Sequence, residues 1–168
     1  MTSLDLHSAL ARVFGELSHG AHHPRGSFVL NSGDAGLLAS LDALSAHDAS
    51  QAIAGGATVA AHALHLRYGL GLMNRWATEG GNPFADATWD AAWRTSTVDD
   101  STWREIRAGL REECERWSTA LKEPRELSSV ELCGMLGSVA HLAYHLGAIR
   151  QIAVSTRGPR EGTFTHRP

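Results

Sequence analysis

Cysteine is scarce: Cys114 and Cys133 are the only two in 168 residues, and their spacing is not that of a CxxC motif. A disulfide-stapled scaffold is thereby excluded, and both thiols are expected to be reduced, buried and inert in mid-helix, in keeping with a cytoplasmic protein. Charge is sparse as well. Charged residues make up 20% of the chain, the net charge is −3 with histidine neutral, and no run of Lys and Arg reaches motif length. No nucleic acid partner is expected, because binding one requires a basic footprint. There is no uninterrupted run of 18 apolar residues, so no membrane span is expected. The first residues lack a basic segment followed by an apolar one, so no signal peptide is expected either.

What is present suits one helical domain. Hydrophobic residues make up 43% of the chain, enough for a sizeable core at this length. Residues 3–18 carry Leu6, Leu10, Val13, Phe14 and Leu17 at helical steps. A Gly- and Pro-containing loop follows at 20–26, then an irregular stretch, Phe28–Gly33. Asp34 is placed as the N-cap of a short helix bearing Leu37, Leu38, Leu41 and Leu44. A second long helix is expected from Ser50 to about Glu79, ended by Gly80-Gly81-Asn82-Pro83. The connection 80–99 is long for a compact domain and contains Trp89-Asp-Ala-Ala-Trp93, a candidate helical turn. Asp99 or Asp100 opens a third long helix through Lys122, with Trp103, Ile106, Leu110, Cys114, Trp117 and Leu121 as its buried stripe and Glu112, Glu113 and Glu115 on a solvated face. Ser128-Ser-Val-Glu131 is a capping box opening a fourth long helix to about Val154. Residues 1–154 form the domain, and 155–168 a frayed polar tail. The fold class is therefore all-α: four long helices with short extra helices in the 20–48 and 80–99 connections.

Ten histidines is the unusual count. His141 and His145, four residues apart on the fourth helix, share one face and border an apolar arc of Met135, Val139, Leu142, Leu146 and Ile149. His62 and His65 lie three apart on an inward face of the second helix. Helical bundles build metal sites from such facing pairs. Three neutral imidazoles suit zinc, nickel or ferrous iron and leave positions open for water or substrate. An HxxxH pair by itself is a weak signal, and helical histidines are often only boundary residues. Adjacent loop histidines such as His22 and His23 are ordinarily solvated. Gly69 and Gly71 within the second helix imply a close helix approach or room for a bound group.

The segment Ala-His-Leu-Ala-Tyr-His-Leu-Gly-Ala-Ile-Arg-Gln at 140–151 resembles the DinB/YfiT-like superfamily of metal-binding four-helix bundles. So do Thr58-Val-Ala-Ala-His-Ala-Leu-His-Leu-Arg67 and the tryptophan-bearing loop between the two. The resemblance covers roughly residues 3–154. It implies a divalent metal ion (Zn, Ni, Fe or Mn) held by His141 and His145, with His65 fitting the family's spacing as third ligand and His62 the fallback. Whichever is not a ligand could orient one. The implied activity is a thiol-dependent S-transferase or isomerase, or a hydrolase, working at an open three-histidine site. The implied partners are a small-molecule substrate, such as a low-molecular-weight thiol, and a second copy of the chain in a homodimer. The alternative is a non-catalytic dimeric helical binding module with a structural or vestigial metal site. No nucleophile is placed beside a base in the sequence, so the expected mechanism is metal-centred. Arg150 is either a carboxylate anchor or a helix-end arginine reaching solvent. Tyr144 either donates into the pocket or packs at a helix interface, and the tryptophans between 89 and 103 furnish a lid or a dimer surface.

Overall fold

A computed structural model describes residues 3–21 and 26–160. Its helices are α1 (Ser3–His19), α2 (Gly36–Asp42), α3 (Ala46–Ala49), α4 (Val59–Glu79), α5 (Asp100–Lys122) and α6 (Ser129–Ile152), with 3-10 turns at Ala92–Arg94 and Val154–Thr156. No strand occurs among the described residues. Helix α1 packs on α5 and α6, and α4 packs on the same two. The four long helices thus enclose one core, in which Phe14, Leu66, Leu110, Trp117, Leu142 and Ile149 are almost wholly buried. Burying each such side chain stabilises the fold by roughly 1.5–3 kcal/mol.

The stripe expected on α5 is buried along its whole length. Its two tryptophans also satisfy their polar edges, Trp103 Nε1 donating to the Leu44 carbonyl at 2.8 Å and Trp117 Nε1 to Ser138 Oγ at 2.9 Å. Asp99 caps α5 through the Thr102 N–H. Ser128 and Glu131 form the anticipated capping box of α6.

Several boundaries differ from expectation. Helix α4 starts at Val59 rather than Ser50, because Gly55 takes a left-handed φ of +74° and Thr58 is the true N-cap, accepting from the Ala61 N–H. Ser45 and Asp48 form a second capping box that opens α3. Asp34 is not the N-cap of α2, a position taken by Ala35. Gly36, at φ +74°, opens α2 where the end of α1 passes so close that a Cβ would stand 2.9 Å from the His19 carbonyl carbon. Asp34 instead accepts from the Gly36 N–H at 2.8 Å. Cys133 is exposed while Cys114 is buried, since their positions fall on opposite faces of their helices. Glu113 is not a freely solvated residue: its carboxylate accepts from Asn74 Nδ2 at 2.6 Å, joining α5 to α4.

The first part of the tail is docked rather than frayed. Thr156 is buried, Asn31 Nδ2 donates to the Pro159 carbonyl at 2.9 Å, and Arg157 bonds back to the Arg150 carbonyl and to Gln151. By length and composition α6 is apolar enough to cross a membrane, although Ser138, His141 and His145 interrupt its apolar run. Met135, Leu142, Leu146 and Ile149 are all buried against the other helices.

Candidate metal centre

Helices α4 and α6 face one another, and four histidines meet between them. His65 Nε2 lies 3.0 Å from His141 Nε2, which lies 2.9 Å from His145 Nε2. Donor atoms of His65, His141 and His145 all fall within 4.8 Å of one another. His62 stands behind them, its Nδ1 2.8 Å from His145 Nδ1. The i, i+4 spacing on α6 puts the His141 and His145 rings edge to face at 4.4 Å, and one turn of α4 separates His62 from His65. The two helices thus divide the work: each supplies a pair one turn apart, and the pairs interleave.

Burial sets the protonation. His62, His65 and His145 are each at least nine-tenths buried. Desolvation first, and the neighbouring histidines second, bring the His65 pKa down to about 4 and that of His145 to about 3. Desolvation also lowers His62 and His141. All four imidazoles are therefore neutral near pH 7, the form that ligates metals.

These residues fit a metal ion. Two nitrogens bound tetrahedrally at about 2.0–2.1 Å from zinc stand roughly 3.4 Å apart, within about half an ångström of the His65–His141 and His141–His145 separations. If His145 ligates through Nε2, its remaining proton sits on Nδ1 and is donated to His62 Nδ1, which fixes the tautomer of both rings. His65 Nδ1 is buried with no hydrogen-bond partner, an unused polar atom beside the cluster. By position, His65 joins the α6 pair in a three-histidine group able to hold a metal ion, while His62 meets His145 at its other ring nitrogen.

Trp93 roofs the cluster from the 3-10 turn Ala92–Arg94. Its ring lies 4.5 Å from His65 in a tilted stack, 5.3 Å edge-on from His62 and 5.9 Å from His145. Trp89 stands 5.5 Å from His65. The loop carrying both is fastened to α4, with the Thr88 N–H donating to the Tyr68 hydroxyl and Thr58 Oγ1 to the Thr95 carbonyl. The i, i+4 tryptophans signalled the turn in the sequence, where a lid was one of two roles open to them, and Trp93 lies over the histidines.

A cleft of about 430 Å³ opens beside the cluster, its walls formed by Leu66, Leu70 and Met73 of α4, Phe84 and Trp89 of the loop, and α6, with His65 and His141 at one end. Gly69 lies where α4 approaches this end, a Cβ there standing 3.7 Å from both His141 and Trp89. Gly71 faces Glu113 instead. Tyr144 is 69% exposed, only its ring edge meeting His145 at 5.0 Å, and it does not line the cleft. Arg150 is largely covered and turned away from the cluster: its guanidinium pairs with buried Asp34 at 2.6 Å. His22 and His23 lie outside the described residues.

Fold and site together define an all-helical protein with a three-histidine group able to hold a metal ion. The chain matches no protein-family model, no curated protein and no solved structure.

Proposed function

We propose that this protein is a divalent-metal-binding four-helix bundle of DinB-like type and a metal-dependent enzyme, either a thiol-dependent S-transferase or isomerase or a hydrolase. The observation that carries this reading is the convergence of neutral His65, His141 and His145 at the end of a cleft. The three nitrogens would hold the ion beside the cleft. A divalent metal such as Zn, Ni, Fe or Mn bound there supplies Lewis acidity, polarising a carbonyl or lowering the pKa of a bound water or thiol. The protein's own residues do the rest: His62 holds the His145 tautomer, Trp93 keeps bulk water off one side of the cluster, and the cleft walls orient the substrate. A cytoplasmic setting accords with the two unpaired cysteines.

A second reading has its own support. Val130, Leu136 and Tyr144 expose large apolar surface along α6, as a homodimer contact would require. On that reading the chain is a dimeric binding module with a structural or vestigial metal. The discriminating experiment uses tag-free protein purified without added metal, beside its His145→Ala variant. The enzymatic reading expects near one equivalent of metal in the parent and none in the variant, with thiol-transfer or ester and amide hydrolysis lost in parallel. A bound metal with no turnover in either screen, together with a dimer, favours the binding module.

A further inference from the structure

We propose that the group this site takes in beside the metal is uncharged, elongated and apolar, and that Gly137 sets the bore of the cleft that receives it. The proposal rests on the metal-dependent reading above and names the substrate class for it. No charged side chain lines the cleft. The hydroxyl on its wall, Ser138 Oγ, already accepts from Trp117 Nε1 at 2.9 Å and donates to the Met135 carbonyl at 2.7 Å. The nearest arginine of α6 beyond the histidines, Arg150, is held by Asp34. A carboxylate or ammonium entering the cleft would lose its hydration and gain no partner there. The polar atoms on offer are those of the histidines at the metal end. A substrate that matches has one polar head at the histidines and an apolar body running away from them.

The length and width of that body are also set. A second hollow of about 310 Å³ continues the cleft past Met73, Phe84 and Gly134 to Trp76, Pro83 and Val130. From His141 to Val130 along α6 is roughly 16 Å at the helical rise, the reach of a long, extended alkyl chain. Glu131, at the far end, is turned to the capping box, its carboxylate accepting from the Ser128 N–H and Oγ at 2.7 Å. Glycine in mid-helix is a poor helix former. Gly137 lines the cleft, yet a Cβ there would meet no heavy atom within 4 Å. No neighbouring helix needs the space, so its missing side chain is free volume in the cleft.

The test is a ligand series on the full chain loaded with one equivalent of Zn2+: alkyl hydroxamates from acetohydroxamate to octanohydroxamate, whose heads bind zinc and whose tails probe the cleft. Calorimetric Kd should tighten about threefold to fourfold for each added methylene until the cleft fills. Suberic monohydroxamate, which ends the same chain in a carboxylate, should bind at least about 100-fold more weakly than octanohydroxamate. Gly137→Leu should flatten the series while its melting temperature holds or rises and its zinc stoichiometry is unchanged. In metal-free protein, N-phenyl-1-naphthylamine, a neutral dye, should bind and be displaced by octanol, and Gly137→Leu should abolish this. A flat series in zinc-loaded native protein, or equal binding of the carboxylate-tailed compound, overturns the proposal while leaving the metal site standing. Failure to bind zinc or acetohydroxamate, with the dye still bound and displaced, overturns the metal reading and leaves the apolar cleft.

Discussion

Helix α6 carries two buried polar clusters only a turn or so apart, and they are built on opposite principles. At Arg150, a full positive charge is buried against a full negative one: Asp34 accepts from Arg150 at 2.6 Å and from the Gly36 N–H at 2.8 Å. Their side chains are 15% and 3% exposed. At His141 and His145, four titratable rings, three of them buried and His141 half-buried, meet with no carboxylate among their hydrogen-bond partners and are kept neutral by desolvation. The first cluster is electrically closed and ties α6, the α1–α2 connection and the returning tail together. The second keeps its lone pairs crowded into one spot, with a cleft alongside. A charge-paired cluster has no chemistry left to offer, whereas a neutral one with converging lone pairs is suited to receive a cation.

The contrast can be broken from either side. The largest effect is expected from Asp34→Ala, which strands the Arg150 charge in the interior. Urea unfolding should show a loss of about 3–5 kcal/mol, with metal stoichiometry unchanged in whatever remains folded. An unaltered midpoint would mean that the pair is not structural. Next comes His62→Ala, which removes the acceptor for His145 Nδ1–H without touching the three ligating nitrogens. Metal affinity measured against a competing chelator should fall about 10- to 100-fold, with stability of the metal-free protein little changed. His62→Gln, which can still accept a hydrogen bond, should recover part of that loss. If His62→Ala leaves affinity intact, His62 is a packing residue only.

The broadest effect is on pH. An unfolded histidine titrates near 6.5, whereas His65 and His145 in the fold are lowered to about 4 and about 3. As pH falls below 6.5 the unfolded chain takes up protons first. The stability that the neutral cluster contributes is thus fully present above pH 6.5 and is lost as pH falls through 4 toward 3. Denaturation midpoints of metal-free protein measured from pH 8 to pH 4 should decline on the acid side, and His65→Phe should flatten part of that decline. A profile flat to pH 4 would contradict the burial argument.

How much of this was legible in the sequence follows from the range of each interaction. The caps at Asp99 and Ser128, the α5 stripe and the inward faces of His62, His65, His141 and His145 rest on residues three or four apart, and the sequence displays them. The start of α4 was also written locally, in Gly55 and the Thr58 cap, but the apolar residues upstream masked it. The Arg150–Asp34 pair joins positions 116 residues apart, and Trp93 reaches the histidines through a loop whose path no periodicity encodes. Those contacts become visible only when tertiary structure brings α2, the tail and the 80–99 connection against α4 and α6. The same holds for the cleft. Gly69 already implied a close approach or room for a bound group, but the open space beside Gly137 is visible only once the helices are packed.

The central claim is that His65, His141 and His145 together hold one divalent ion. Its most direct test is titration of tag-free, metal-free protein with Co2+, followed by visible absorption. The account predicts a single saturable site with the intense d–d bands of low-coordinate, nitrogen-ligated cobalt, displaced by Zn2+ and absent from His141→Ala. No saturable change in the native protein, or a spectrum unaltered in His141→Ala, would contradict it.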